Sequence, residues 1–268
     1  VGGVFSIRSK TSSRLFVGVV MFDSAKKKIE RADYHITDVE GQFAAFIREK
    51  PHAVVAERDP DTGRILVRMK LLKPFPASLA LVIGDAIHNL RTALDHLTWE
   101  AVGLNGTQNR YLQFPTGGNR VDFEATCKGI KTPDQWVKDA ICALQAFPGG
   151  EPAGNWFYEI AQMDNADKHT VVEPIIGTTG QPPITVYDGK VVYHMENNVF
   201  VWSGEGTTID IGSYGPGARV QLHDDKERAP SILIRKATNG HYVPGIPFLR
   251  IASDCVRWAI EQVEAAKP

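Results

Sequence analysis

Cysteine is scarce in this chain. Cys127, Cys142 and Cys255 are the only three in 268 residues, and no two of them form a CxxC pair. An odd count at wide spacing argues against a disulfide framework and a structural zinc site, and favours a reducing compartment. Neither sign of charge is in excess: 30 Lys and Arg face 31 Asp and Glu, for a formal net charge of −1. A basic tail or a uniformly basic surface is excluded, so any nucleic-acid contact must be local. No run approaches the roughly 18 consecutive apolar residues of a membrane helix. The expectation is a cytoplasmic chain with no membrane partner. Phosphate loops of the GxxxxGK type, GxGxxG fingerprints and GxSxG elbows are missing, as is any HExxH pair. What remains, 43% hydrophobic and 23% charged residues, is enough for one domain core or two.

The hydrophobic pattern changes period along the chain. Residues 1–20 read as a peripheral extension, too short in its apolar part for a signal peptide. Phe22, Ala25, Ile29, Ala32, Ile36, Val39, Phe43 and Ile47 recur three or four apart, the stripe of a long helix that Pro51 ends. Residues 53–72 read as a β-hairpin around Asp59-Pro60-Asp61-Thr62-Gly63. A second helix is expected over 79–102 with Ser78 as its cap, then a loop over 103–120. Further helices are expected over 133–147, with Thr132 as cap, and over 155–169. After Val172 come short β-branched and aromatic runs between turns such as Asp188-Gly189, Asn197-Asn198 and Gly215-Pro216-Gly217. Helical spacing returns over 247–265.

These segments predict an α+β protein: a bundle of four to five helices with a mostly antiparallel β insertion. Its parts are the extension (1–20), the helical bundle with its hairpin (21–175), a β unit (176–245) and a last helix returning to the bundle (246–268). The hairpin is expected to join the later strands, because an isolated hairpin is marginal in water.

The second helix has an unusual polar face. Ala86, Ile87, Leu90, Ala93, Leu94, Leu97 and Ala101 form its apolar side, and Asp85, His88, Asn89, Thr92, Asp95 and His96 collect opposite, with Arg91 at the edge. A solvated face carries Lys and Glu; these shorter residues are mediocre helix formers. One reading is a polar network that fastens neighbouring helices. The other is a functional site. A second cluster, Asp164, Asn165, Asp167, Lys168 and His169, ends the helix over 155–169 and repeats the same chemistry. Read simply, it is a helix C-terminus with favourable cations; read with the first, it faces His88, Asp95 and His96 across one cleft.

Arg91 and His96, separated by four residues on a helix, resemble the active-site motif of HEPN-domain proteins, small helical bundles of which many are RNases of toxin–antitoxin and phage-defence systems. The longer string from Gly84 to Leu97, with residues 164–169 downstream, is similar to a group of bacterial proteins without an assigned activity. Thr92 follows the arginine where the family often has Asn, Asp or His, and the β unit is no part of a minimal HEPN bundle. The resemblance implies metal-independent RNA cleavage with no cofactor, in a homodimer that brings two motif helices together. In that scheme His96 is the general acid or base, Arg91 stabilises the phosphorane, and Asp95 and His88 orient the pair.

Two alternatives stand beside it. His88, His96, Asp95 and His169 offer nitrogen and oxygen ligands for a metal between facing helices. Tyr193, Phe200, Trp202 and Tyr214 of the β unit offer either a recognition surface for a non-catalytic interaction module or ordinary sheet packing.

Overall fold

A computed structural model describes residues 21–106, 108–169, 175–179, 184–188, 191–194, 199–202, 208–222 and 231–268. The expected extension over 1–20, and Gly189, Asn197 and Asn198 of the expected turns, lie outside the described residues.

Helix α1 (Asp23–Arg48) buries Ala25, Ile29, Ala32, Ile36, Val39 and Phe43, the expected stripe, together with Phe46 and His35. Phe22 enters it in the left-handed region (φ 55°) and is itself buried. The hairpin strands β1 (His52–Arg58) and β2 (Ile65–Leu71) pair antiparallel from His52↔Leu71 to Arg58↔Ile65. Asp59 makes the turn, its carboxylate accepting the amides of Asp61 and Thr62, and Gly63 supplies a φ of 69°.

Helix α2 (Ala77–Gly103) starts before the expected position. Ser78 is therefore inside the helix instead of capping it, and its hydroxyl donates to Gln42 Oε1 of α1 at 2.9 Å. The loop after α2 leads into α3 (Arg120–Lys128), a helix that the periodicity does not announce. Asn119 caps it by accepting the amide of Asp122. Only Phe123 and Cys127 of its nine residues are buried, too few to form a pattern. Helix α4 (Gln135–Cys142) is shorter than the expected 133–147. Thr132 does accept the Asp134 amide at 3.2 Å, but Pro133 stays outside the helix, and Gln145 at φ 47° turns the chain away. Helix α5 (Pro152–Asp167) starts three residues earlier than expected, with Pro in its first turn.

The later strands are β3 (Ile175–Thr179), β4 (Ile184–Asp188), β5 (Val191–His194), β6 (Val199–Trp202), β7 (Thr208–Tyr214), β8 (Arg219–Leu222), β9 (Ser231–Arg235) and β10 (Tyr242–Pro244), followed by α6 (Gly245–Ala265). They form three small antiparallel sheets in place of one unit, in the orders β1-β2-β7, β10-β9-β3-β6 and β5-β4-β8. The hairpin does join a later strand, β7, with a register shift between Val67 and Arg68. The Gly215-Pro216-Gly217 turn is confirmed, closed by the Ala218 amide on the Gly215 carbonyl at 3.0 Å.

The class is α+β. The described residues carry six helices against the four to five expected, because α3 was not foreseen. The four long ones, α1, α2, α5 and α6, pack on one another. One core cluster lies among the helices, around Leu90, Leu94, Leu97, Phe114, Phe157, Val256 and Ile260. A second joins helices to sheet through Ile36, Val67, Leu79, Ile83, Ile87, Ile211, Tyr214, Ile232 and Phe248. Buried Glu159 of α5 fastens the strand side as well, accepting the Ala237 amide at 2.7 Å and the Thr238 hydroxyl. Among the described residues no helix is long and apolar enough to cross a membrane.

Candidate functional site

Packing of α5 against α2 brings the two polar clusters together. Their close approach passes over Gly84, where an added Cβ would lie 2.5 Å from Asp167 Oδ2. Four residues along α2, His88 meets Asp164: Nδ1 donates to Oδ1 at 2.8 Å. The two differ sharply in environment. Asp164 is 3% exposed and the His88 side chain 54%. The other carboxylate oxygen of Asp164 accepts from Lys168 Nζ at 2.6 Å, an i,i+4 pair on α5. The buried carboxylate is thus held from two sides by cationic or polar donors, as a buried charge requires.

Bonding at Nδ1 fixes which nitrogen of neutral His88 carries the proton, and leaves Nε2 with a lone pair facing outward. Thr92 stands beside it, its Oγ1 3.4 Å from Nε2. Its hydroxyl proton is directed to the His88 carbonyl at 2.8 Å, so it does not occupy that lone pair. An exposed imidazole oriented by a buried carboxylate is an arrangement suited to general acid–base chemistry.

Arg91 and Asp95 lie one turn further on. Arg91 Nη2 meets Asp95 Oδ1 at 2.9 Å and the Phe114 carbonyl at 3.2 Å, and the Phe114 amide donates to the same Asp95 oxygen at 2.8 Å. The pair therefore clamps the loop after α2 onto the helix. Arg91 is only 8% exposed, and its buried Nη1 has no hydrogen-bond partner among the described residues. Burial pushes the Asp95 carboxyl above its ordinary range, against the pull of Arg91 and the Phe114 amide; the negative Asp164 adds to the rise and Lys168 opposes it. Asp95 thus lies within electrostatic reach of the His88 group.

His96 is placed elsewhere. Residues five apart on a helix are rotated by roughly 140°, so Arg91 turns to the loop and His96 to α1. His96 Nδ1 is 2.5 Å from Ser24 Oγ. The Ser24 amide in turn donates to Glu100 Oε1 at 3.0 Å, and the buried Glu100 Oε2 has no partner among the described residues. The Arg91–His96 pair expected from the motif is not brought together within one chain. The i,i+4 neighbours Arg91 and Asp95, and His88 with Asp164, are the pairs that form.

The other expected members divide in the same way. Asn89 is buried and donates to the Asp85 carbonyl at 2.8 Å, closing a helical turn, while the Asp85 side chain is exposed. Asn165 and His169 are exposed, and Asp167 packs over Gly84. Among the described residues no group of three or more His, Cys, Asp or Glu is placed to hold a metal; the set His88, His96, Asp95 and His169 is dispersed over three surroundings. Of the β-unit aromatics, Tyr214 is buried in the core, and the side chains of Tyr193, Phe200 and Trp202 lie outside the described residues.

Ser24, Thr92, Glu100 and the Phe114 backbone complete these surroundings. Thr92 was visible in sequence as a member of the polar face. Glu100 stands one turn after His96 on α2 itself, while Ser24 and Phe114 come from other segments with no local signature. On the side of α2 where His96 meets Ser24, a groove of about 390 Å³ is lined by Asp23, Ser24, Lys27, Lys28, Arg31 and Asn89. Lys27 is paired with Asp23 at 2.6 Å.

Comparison of the chain with protein-family models, with curated proteins and with solved structures gave no match.

Proposed function

We propose that this chain is a metal-independent, acid–base ribonuclease whose working histidine is His88, outside the Arg91–His96 motif that carries the HEPN resemblance. The observation that carries the reading is the hydrogen bond from exposed His88 to buried Asp164, itself braced by Lys168. In this scheme Nε2 of His88 takes the proton of an RNA 2′-hydroxyl as that oxygen attacks the adjacent phosphorus. The bond to the 5′ oxygen breaks, leaving a 2′,3′-cyclic phosphate and a 5′-hydroxyl. Asp164 stabilises the imidazolium that forms, in the way an orienting carboxylate does. Lys168 supplies positive charge near the phosphate. The departing oxygen needs a second proton donor. In the homodimer implied by the resemblance, that donor is His88 of the partner subunit.

Arg91 has a different task in this reading from the one the motif suggests. Buried and committed to Asp95 and Phe114, it holds the loop that borders the site.

The test is cleavage of 5′-labelled RNAs by the purified chain in excess EDTA, with the 3′ ends analysed. Fragments ending in 2′,3′-cyclic phosphate support the reading. Absence of cleavage over RNAs of varied sequence and structure, or cleavage that EDTA abolishes, overturns it.

A further inference from the structure

Two of the three cysteines, separated by 15 positions in sequence, meet in space. Cys127 in the last turn of α3 and Cys142 at the end of α4 come to the same groove. Both line a groove of about 460 Å³ between the two helices, walled by Phe123 and Phe147. Cys127 is buried and Cys142 is half-buried. A groove of this volume is in the range that accommodates small ligands.

The charges around it favour an anion. Lys128 and Lys138 line the groove, and neither enters an ion pair among the described residues. Arg120 is engaged by Glu124 at 2.8 Å, and Asp139 accepts from Gln135 at 2.7 Å. Lys138 stands one helical turn before Cys142. The hydrogen bond from Cys127 pulls the Cys142 thiol below its ordinary range, with Lys138 acting in the same direction against burial and Asp139. The counterpart is Cys127, pushed up by the same hydrogen bond and by burial. Cys142, half-buried and one helical turn from Lys138, is the accessible thiol that attacks, and buried Cys127 is the one that follows. On α6, burial and the negative charge of Asp254 raise the Cys255 thiol.

We propose that Cys127 and Cys142 form a redox-active dithiol site whose co-substrate is a small, carboxylate-bearing disulfide bound in the α3–α4 groove. The Cys142 thiolate attacks one sulfur of that disulfide. The S–S bond breaks, a mixed disulfide forms on Cys142, and the expelled thiolate takes up a proton. Cys127 then gives up its proton and attacks the Cys142 sulfur, releasing the second half of the co-substrate as a thiolate that is protonated in turn. The protein dithiol is oxidised by two electrons to an intramolecular disulfide, and one small disulfide is reduced to two thiols.

The test uses the reduced chain with glutathione disulfide as the anionic probe and hydroxyethyl disulfide as a neutral one, followed by intact mass and peptide mapping. The expected product is a Cys127–Cys142 disulfide that forms at least tenfold faster than any adduct at Cys255. Cys127→Ser is expected to accumulate a stable mixed disulfide on Cys142, and Cys142→Ser to leave Cys127 unreacted. Lys138→Glu, a half-buried helix position whose change leaves both thiols in place, is expected to slow glutathione disulfide several-fold more than the neutral probe. Reaction at Cys142 no faster than at Cys255, or mixed adducts that Cys127 does not resolve, overturns the dithiol. Equal slowing of both probes in Lys138→Glu overturns the anionic co-substrate.

Discussion

The carboxylate of Asp167 lies directly over Gly84, so close that a Cβ there would sit 2.5 Å from Oδ2. The obstacle is the far end of a side chain, which can turn aside. At Gly154 the obstacle is backbone: a Cβ would lie 2.0 Å from the Gln145 carbonyl oxygen. Both glycines are inside helices, where alanine by itself is favoured by roughly 1 kcal/mol. Gly84→Ala is therefore expected to change stability little, within about 1 kcal/mol. Gly154→Ala is expected to destabilise by about 2–3 kcal/mol, since the first turn of α5 must move off the chain that follows α4. Urea unfolding of the two variants checks this; equal costs would contradict it.

Arg91 separates a structural arginine from a substrate-binding one. Removing a nearly buried guanidinium leaves Asp95 without its cation and the Phe114 carbonyl without its donor. Arg91→Ala is expected to cost about 2–4 kcal/mol in denaturant unfolding. A surface arginine kept only for phosphate contact would change stability by no more than about 0.5 kcal/mol. A loss that small would return Arg91 to the catalytic role its motif suggests.

His35 makes stability depend on pH. It is buried on α1, and burial, followed by the charge of Arg31, lowers its pKa below the ordinary 6.5; Asp85 and Asp38 oppose the shift. Between the lowered value and 6.5 the unfolded chain binds the proton that the folded chain refuses. Stability therefore falls as pH drops through that window and recovers above it. The melting temperature is expected to decline from about pH 7 to about pH 5, and His35→Gln to flatten the decline. An unchanged slope in the variant would assign the acid sensitivity to other groups.

Long periodic segments were legible in the sequence. The stripes of α1, α2 and α6, the Asp59–Gly63 turn and the α+β class follow from spacing and turn chemistry. The α3 helix was not legible, because two buried residues make no period. At the start of α2 the local cap rule lost to a tertiary partner, Gln42, which took the Ser78 hydroxyl. In the site, the polar face of α2 and the cluster ending α5 were both visible, and their meeting through His88 and Asp164 depended only on the two helices packing. The partner of His96 was not visible. Ser24 lies 72 positions away, and a helix face says which residues point together but not what stands opposite. The Cys127–Cys142 contact was hidden for the same reason, since it requires the unannounced α3.

The account places the working histidine at position 88 and not at 96, and one experiment addresses that choice directly. RNA cleavage in EDTA is measured for the wild type, His88→Ala, Asp164→Asn and His96→Ala, each checked for folding by circular dichroism. Loss of an acid–base group is worth on the order of 10²–10⁴-fold in rate. His88→Ala is expected to fall by that factor. Asp164→Asn is expected to follow it, because an amide in place of the carboxylate no longer holds the proton on Nδ1. His96→Ala is expected to stay within a few-fold of the wild type. Cleavage lost in His96→Ala and retained in His88→Ala would contradict the account and place the chemistry at the Ser24–His96 contact on the α1 side of the helix.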